Sequence, residues 1–80
     1  MNAALERKIL EVLLDLHPLL MRERTLVSDV MIATDDRETA GTILLSLKAL
    51  EGKREVVGVP YEGTKKWKIT ADGIARLAER

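Results

Sequence analysis

The sequence predicts a mainly α domain with one small β-hairpin, in the order helix, helix, helix, hairpin, helix. Three observations predict it. Leu5, Ile9, Val12, Leu13 and Leu16 recur at helical spacing near the amino terminus. A second helical stripe, Ala40, Ile43, Leu47 and Leu50, lies in mid-chain and runs into Gly52, a helix terminator. Between Arg54 and Ile69 the pattern changes to β-branched and alternating residues around a Pro/Gly turn.

The first helix is expected over about 3–16, with Asn2 as its N-cap. His17-Pro18 ends it, because a residue before proline avoids the helical region. Leu10 and Leu14 form a second stripe on the same helix. They are either covered by the closing helix or the Leu19-Leu20-Met21 loop, or they form a homodimer interface. A short second helix, LVSDVMIA (26–33), follows with Thr25 as cap. TDDRE is a polar turn into a third helix over about 38–51, where Asp35, Asp36 and Glu38 read as capping and first-turn acids. Gly52 is expected in the left-handed conformation. The hairpin spans about 54–69, with strands EVVGV (55–59) and KKWKI (65–69) around PYEG (60–63). Trp67 and Ile69 face inward, Lys66 and Lys68 the other way, and Gly63 takes a positive φ. Thr70 caps a last helix over about 71–79, whose Ile74, Leu77 and Ala78 make an inward stripe. The short turn between the second and third helices is that of a helix-turn-helix.

Eighty residues support one domain around one modest core. With no Phe, one Tyr and one Trp, that core must be aliphatic. The absence of cysteine excludes disulfides, thiolate zinc sites and Cys nucleophiles. A single histidine, His17, makes no metal site, and the neighbouring Asp35 and Asp36 point apart. EGTKK lacks the spacing of a phosphate loop. No catalytic residue, metal or cofactor is therefore expected, and the chain reads as no enzyme. Apolar runs fall well short of the ~20 residues that span a bilayer. The segment MNAALERKIL has no signal-peptide core, so a cytoplasmic protein without a membrane partner is expected.

The formal net charge is zero, but it is unevenly spread. Residues 1–38 hold five basic against eight acidic side chains, whereas residues 53–68 hold five against two. The positive end is the hairpin.

Two stretches, ILLSLKALEGKREV (43–56) and WKITADGIARLAER (67–80), carry a family pattern. With them the chain resembles the winged helix-turn-helix family over nearly its whole length, in the form of small bacterial and phage transcriptional regulators. The resemblance implies a three-helix core, a two-stranded wing and a C-terminal helix. It also implies that the third helix enters the major groove of double-stranded DNA while the wing lies on the backbone or minor groove. DNA-binding residues carried over on the helix are Arg37, Thr39, Gly41, Thr42, Leu45, Ser46 and Lys48. On the wing they are Lys53, Arg54, Tyr61, Lys65, Lys66 and Lys68. Such a protein would associate with the nucleoid.

Winged helices also serve as protein-docking modules, so a protein partner is the alternative. The outward face of the third helix bears on that choice. Ser46 and Lys48 are expected at its edges, and it has no Arg, Lys, Asn or Gln at its centre, the residue types that make bidentate contacts with base edges. Thr42 can bond a base or a phosphate, but Gly41, Thr42, Leu45 and Ala49 together form a smooth uncharged strip suited to a protein surface.

Overall fold

Asn2 caps the first helix, α1 (Ala3–Leu16), its side-chain oxygen accepting the Leu5 N–H at 3.0 Å. From there the computed structural model, which describes residues 2–79, runs through β1 (Met21–Arg22), α2 (Glu23–Ala33), α3 (Ala40–Gly52), β2 (Val56–Tyr61), β3 (Thr64–Ile69) and α4 (Ala71–Ala78). The chain is thus mainly helical, with a three-stranded antiparallel sheet in the order β1-β3-β2. The expected two-stranded hairpin is present but gains a third strand. Met21 pairs with Trp67 and Arg22 with Lys66. Two residues are too short to show alternation, so this strand had no signature in the sequence.

That strand also resets the start of α2. Held extended by β3, the chain turns helical at Glu23 and not at residue 26, so Arg22 takes the cap position without a side-chain bond. Thr25, the expected cap, lies inside the helix. At the other end Thr34 donates its hydroxyl to the Val30 carbonyl at 2.9 Å, and the chain then turns through Asp35 (φ 54°) and Asp36 (φ 58°). These two aspartates occupy left-handed turn positions, which short polar side chains tolerate. They do not lie in the first turn of α3, nor do Arg37 and Glu38, because Thr39 is the cap and accepts the Thr42 N–H at 3.2 Å. Gly52 remains helical, and Arg54 (φ 62°) takes the left-handed turn that was expected of Gly52.

The hairpin closes through Glu62 (φ 47°) and Gly63 (φ 79°). Two positive φ values in a two-residue loop give the turn whose twist matches the flanking strands. Pro60 consequently belongs to β2 and not to the turn. Thr70 caps α4 by accepting the Gly73 N–H at 3.2 Å.

Every helix and the inner face of the sheet contribute to one aliphatic core, with Trp67 buried among them at 3 % exposure. Leu10 is wholly buried in that core, so it forms no dimer surface, whereas Leu14 is 39 % exposed. On α4, Ile74 and Leu77 pack against the core, while Ala78 is exposed. At the core's edge the Glu6 carboxylate is buried and accepts from Lys53 Nζ at 3.0 Å and Arg76 Nη1 at 2.9 Å. Burial acts to raise the Glu6 pKa, but the bonds and charges of Lys53 and Arg76 outweigh it and hold the carboxyl below its ordinary value. Among the described residues no helix is long and apolar enough to cross a membrane.

Candidate nucleic-acid interface

α3 buries Ile43, Leu47 and Leu50 and turns Gly41, Leu44, Leu45 and Lys48 to solvent. Leu45 is 73 % exposed and Leu44 39 %. Ser46, expected at the edge of this face, is buried, because the helix packs deeper against its neighbours than a single stripe suggests. Thr42 is half-buried and its hydroxyl lies 2.9 Å from that of Thr39, so both threonines serve the helix cap. Arg37 is exposed in the preceding turn, 3.6 Å from Asp35.

The hairpin divides its cations between two faces. Strand alternation puts Lys65 on the same side as Trp67 and Ile69, and Lys66 and Lys68 on the opposite side. Lys65 therefore does not point outward with the other two. Its ammonium bonds Glu51 on α3 at 3.3 Å and sits 5.3 Å from the Trp67 ring centroid. Lys53 is likewise committed, to Glu6.

On the open face, Lys66 lies over the Tyr61 ring at 3.9 Å, and Arg22 approaches the same ring at 5.3 Å. Arg22 Nη2 also donates to the Tyr61 hydroxyl at 3.2 Å. The two cations and the phenol form one cluster, each cation gaining from the aromatic face. Arg22 was missed from the sequence, since only its pairing through β1 brings it opposite Lys66. Among the described residues Arg22, Arg24, Lys48, Arg54, Lys66 and Lys68 make no ion pair with a carboxylate.

Between α3 and the hairpin opens a cleft of about 450 Å³, lined by Leu44, Lys48, Glu51, Thr64, Lys65 and Trp67, with Glu23 at its side. Glu23 accepts from Trp67 Nε1 at 3.1 Å and from the Thr64 hydroxyl at 3.4 Å, which fixes the tryptophan's orientation. Lys48 and Lys65 border the cleft together with Glu23 and Glu51, so it is of mixed charge. Among the described residues no group of three or more His, Asp or Glu side chains is arranged to hold a metal ion. The chain matches no family model, no curated protein and no solved structure.

Proposed function

We propose that the chain is a small winged-helix DNA-binding protein, a transcriptional regulator of bacterial, archaeal or phage type. The observation that carries this reading is the set of cations without carboxylate partners on α3 and on the sheet. Lys48 stands on the exposed face of α3, and Arg22, Lys66 and Lys68 stand on the open face of the sheet. The topology supports it: β1 lies between the first two helices, and β3 sits centrally in the sheet, as a winged helix requires.

In this reading α3 enters the major groove and the hairpin lies along the backbone. Phosphate contacts orient the protein and supply salt-dependent affinity but read no sequence. If Arg22, Lys48, Lys66 and Lys68 each meet one phosphate, log K falls against log salt with a slope of about −3.6. With Thr42 tied to the cap and no Arg, Asn or Gln on the α3 face, base discrimination is weak and positioning dominates. The test is binding to random duplex DNA across a salt series, for wild type and for Lys48/Lys66/Lys68→Ala. No binding at low salt, or an unchanged slope in the variant, overturns the reading.

A second reading has its own support. Leu45 at 73 % exposure beside Leu44 and Gly41 is a smooth apolar strip on α3, which favours a protein-docking winged helix. Leu45→Lys should then abolish co-purification of a partner while leaving the fold intact. If instead it strengthens DNA binding and co-purification is unchanged, docking through α3 is refuted.

A further inference from the structure

The cleft between α3 and the hairpin holds two charges that the described residues leave unpaired. Its α3 wall is one helical face, since Leu44, Leu47, Lys48 and Glu51 stand at i, i+3, i+4 and i+7. The other side is formed by Glu23, at the start of α2, and by Thr64, Lys65 and Trp67 of the hairpin. Glu51 and Lys65 pair with each other at 3.3 Å. Glu23 has no such partner. Its hydrogen bonds come from neutral donors, Trp67 Nε1 at 3.1 Å and the Thr64 hydroxyl at 3.4 Å, and among the described residues no cation pairs with it. A carboxylate accepts about four hydrogen bonds, so about half of that capacity is open on a side chain already half-buried. Lys48, exposed on the α3 wall, is likewise without a carboxylate, and the two do not pair with each other. One turn from Lys48, Leu44 adds an apolar surface that is 39 % exposed.

We propose that this cleft binds a free α-amino acid with an apolar side chain. The ligand's ammonium donates to Glu23, and its carboxylate accepts from Lys48 Nζ, whose flexible stem sets the reach. Its side chain covers Leu44. A simple anion meets the repulsion of Glu23 and Glu51, and a simple cation that of Lys48 and Lys65, so the zwitterion is the charge pattern the cleft complements. The volume of about 450 Å³ is that of a small-molecule site, in which a few placed polar groups fix the orientation of an apolar body. A peptide terminus supplies only one of the two charges at this point, so the site distinguishes a free amino acid from a chain end. The proposal goes beyond DNA binding and does not rest on it.

Trp67 is the chain's one tryptophan and its indole N–H is bonded to Glu23, so its NMR resonance reports on the cleft. L-Leucine titrated into the isotope-labelled chain should shift that resonance saturably, and equilibrium dialysis should give one site per chain. L-Leucinamide, which lacks the carboxylate, and N-acetyl-L-leucine, which lacks the ammonium, should each bind at least about tenfold more weakly, the scale of one hydrogen bond to a charged group. Glycine, which lacks the side chain, should also bind more weakly. Lys48→Met should weaken leucine by a similar factor and leave leucinamide unchanged. Glu23→Gln, which keeps an oxygen for the Trp67 N–H, should weaken leucine and leave N-acetyl-leucine unchanged. Equal binding of leucine and its two derivatives, or leucine binding unchanged in Lys48→Met, overturns the assignment of the charges. Preference for either derivative assigns the cleft to a peptide terminus and overturns the proposal. Neither a shift nor uptake at millimolar leucine overturns the site itself. None of these measurements includes DNA, so their failure is distinct from failure of the DNA reading.

Discussion

Arg76 Nη1 on α4 lies 2.9 Å from the buried Glu6 carboxylate on α1 and 2.6 Å from Glu55 at the start of β2. One guanidinium thereby ties both ends of the chain to its middle. Arg76→Ala leaves Glu6 with Lys53 alone in a site where the carboxylate is almost fully buried. The expected cost is about 3 kcal/mol, the scale for breaking a buried ion pair from one side. Urea denaturation of the variant against wild type measures it.

The same carboxylate makes stability depend on pH in the acid range. The folded-state pKa of Glu6 lies below its ordinary 4.5, so its contribution is complete above that value. It is lost as pH falls from there through the lower folded-state value. Denaturation midpoints between neutral pH and the acid limit should drop in this window. Glu6→Gln should be less stable at neutral pH and should lose less on acidification. Parallel pH profiles for the two proteins would show that Glu6 is not the group responsible.

Two glycines are fixed by close approach. A Cβ on Gly73 would fall on the Glu55 carbonyl oxygen and within 2.6 Å of Ile69 Cγ1, and neither group can withdraw without moving backbone or core. A Cβ on Gly58 would stand 2.8 Å from the Trp67 ring. Gly73→Ala should cost about 3 kcal/mol or more, and Gly58→Ala about 1–3 kcal/mol, with altered Trp67 fluorescence in the latter. Thermal melts rank them, and the reverse order would contradict this packing.

If the chain binds DNA as proposed, cations that share a hairpin should not contribute equally to the affinity. Lys65 is held by Glu51 and Trp67, whereas Lys66 and Lys68 face outward on the other side. Lys65→Ala should leave the salt slope nearly unchanged. Lys66/Lys68→Ala should flatten it by about 1.8, at about 0.9 for each phosphate no longer neutralised. Equal effects from Lys65→Ala and Lys68→Ala would contradict this division.

Thr39 begins α3 with both of its partners local, the Thr42 N–H at 3.2 Å and the Thr42 hydroxyl at 2.9 Å. Thr39→Ala should lower stability by about 1 kcal/mol, and Thr39→Asp should retain most of it. Equal losses in the two variants would remove the capping role.

Periodicity made the helices legible, and capping chemistry made some of their boundaries legible. Asn2 and Thr70 cap the helices they precede, because a side chain bonding a backbone N–H three residues on is a local event written in local residues. The alternation of KKWKI likewise set Trp67 inward. Thr25 and Gly52 carried equally good local signals and were overruled: β1 pairing starts α2 early, and the α3 ladder runs through Gly52 to leave the turn to Arg54. Of the candidate interface, the sequence identified the lysines of the hairpin but not their availability. Lys53, Lys65 and Lys66 look alike in the sequence, yet Glu6, Glu51 and Tyr61 give each a different partner.

By itself the sequence determined that this chain makes helices around an aliphatic core with one charged hairpin, since spacing at 3.6 and 2 residues depends only on near neighbours. Only the tertiary structure decided the third strand, the burial of Leu10, and the cluster of Arg22 with Tyr61 and Lys66. Each of these joins residues far apart in the chain. Such pairings are settled by which surfaces meet when the elements pack, and no local pattern records that.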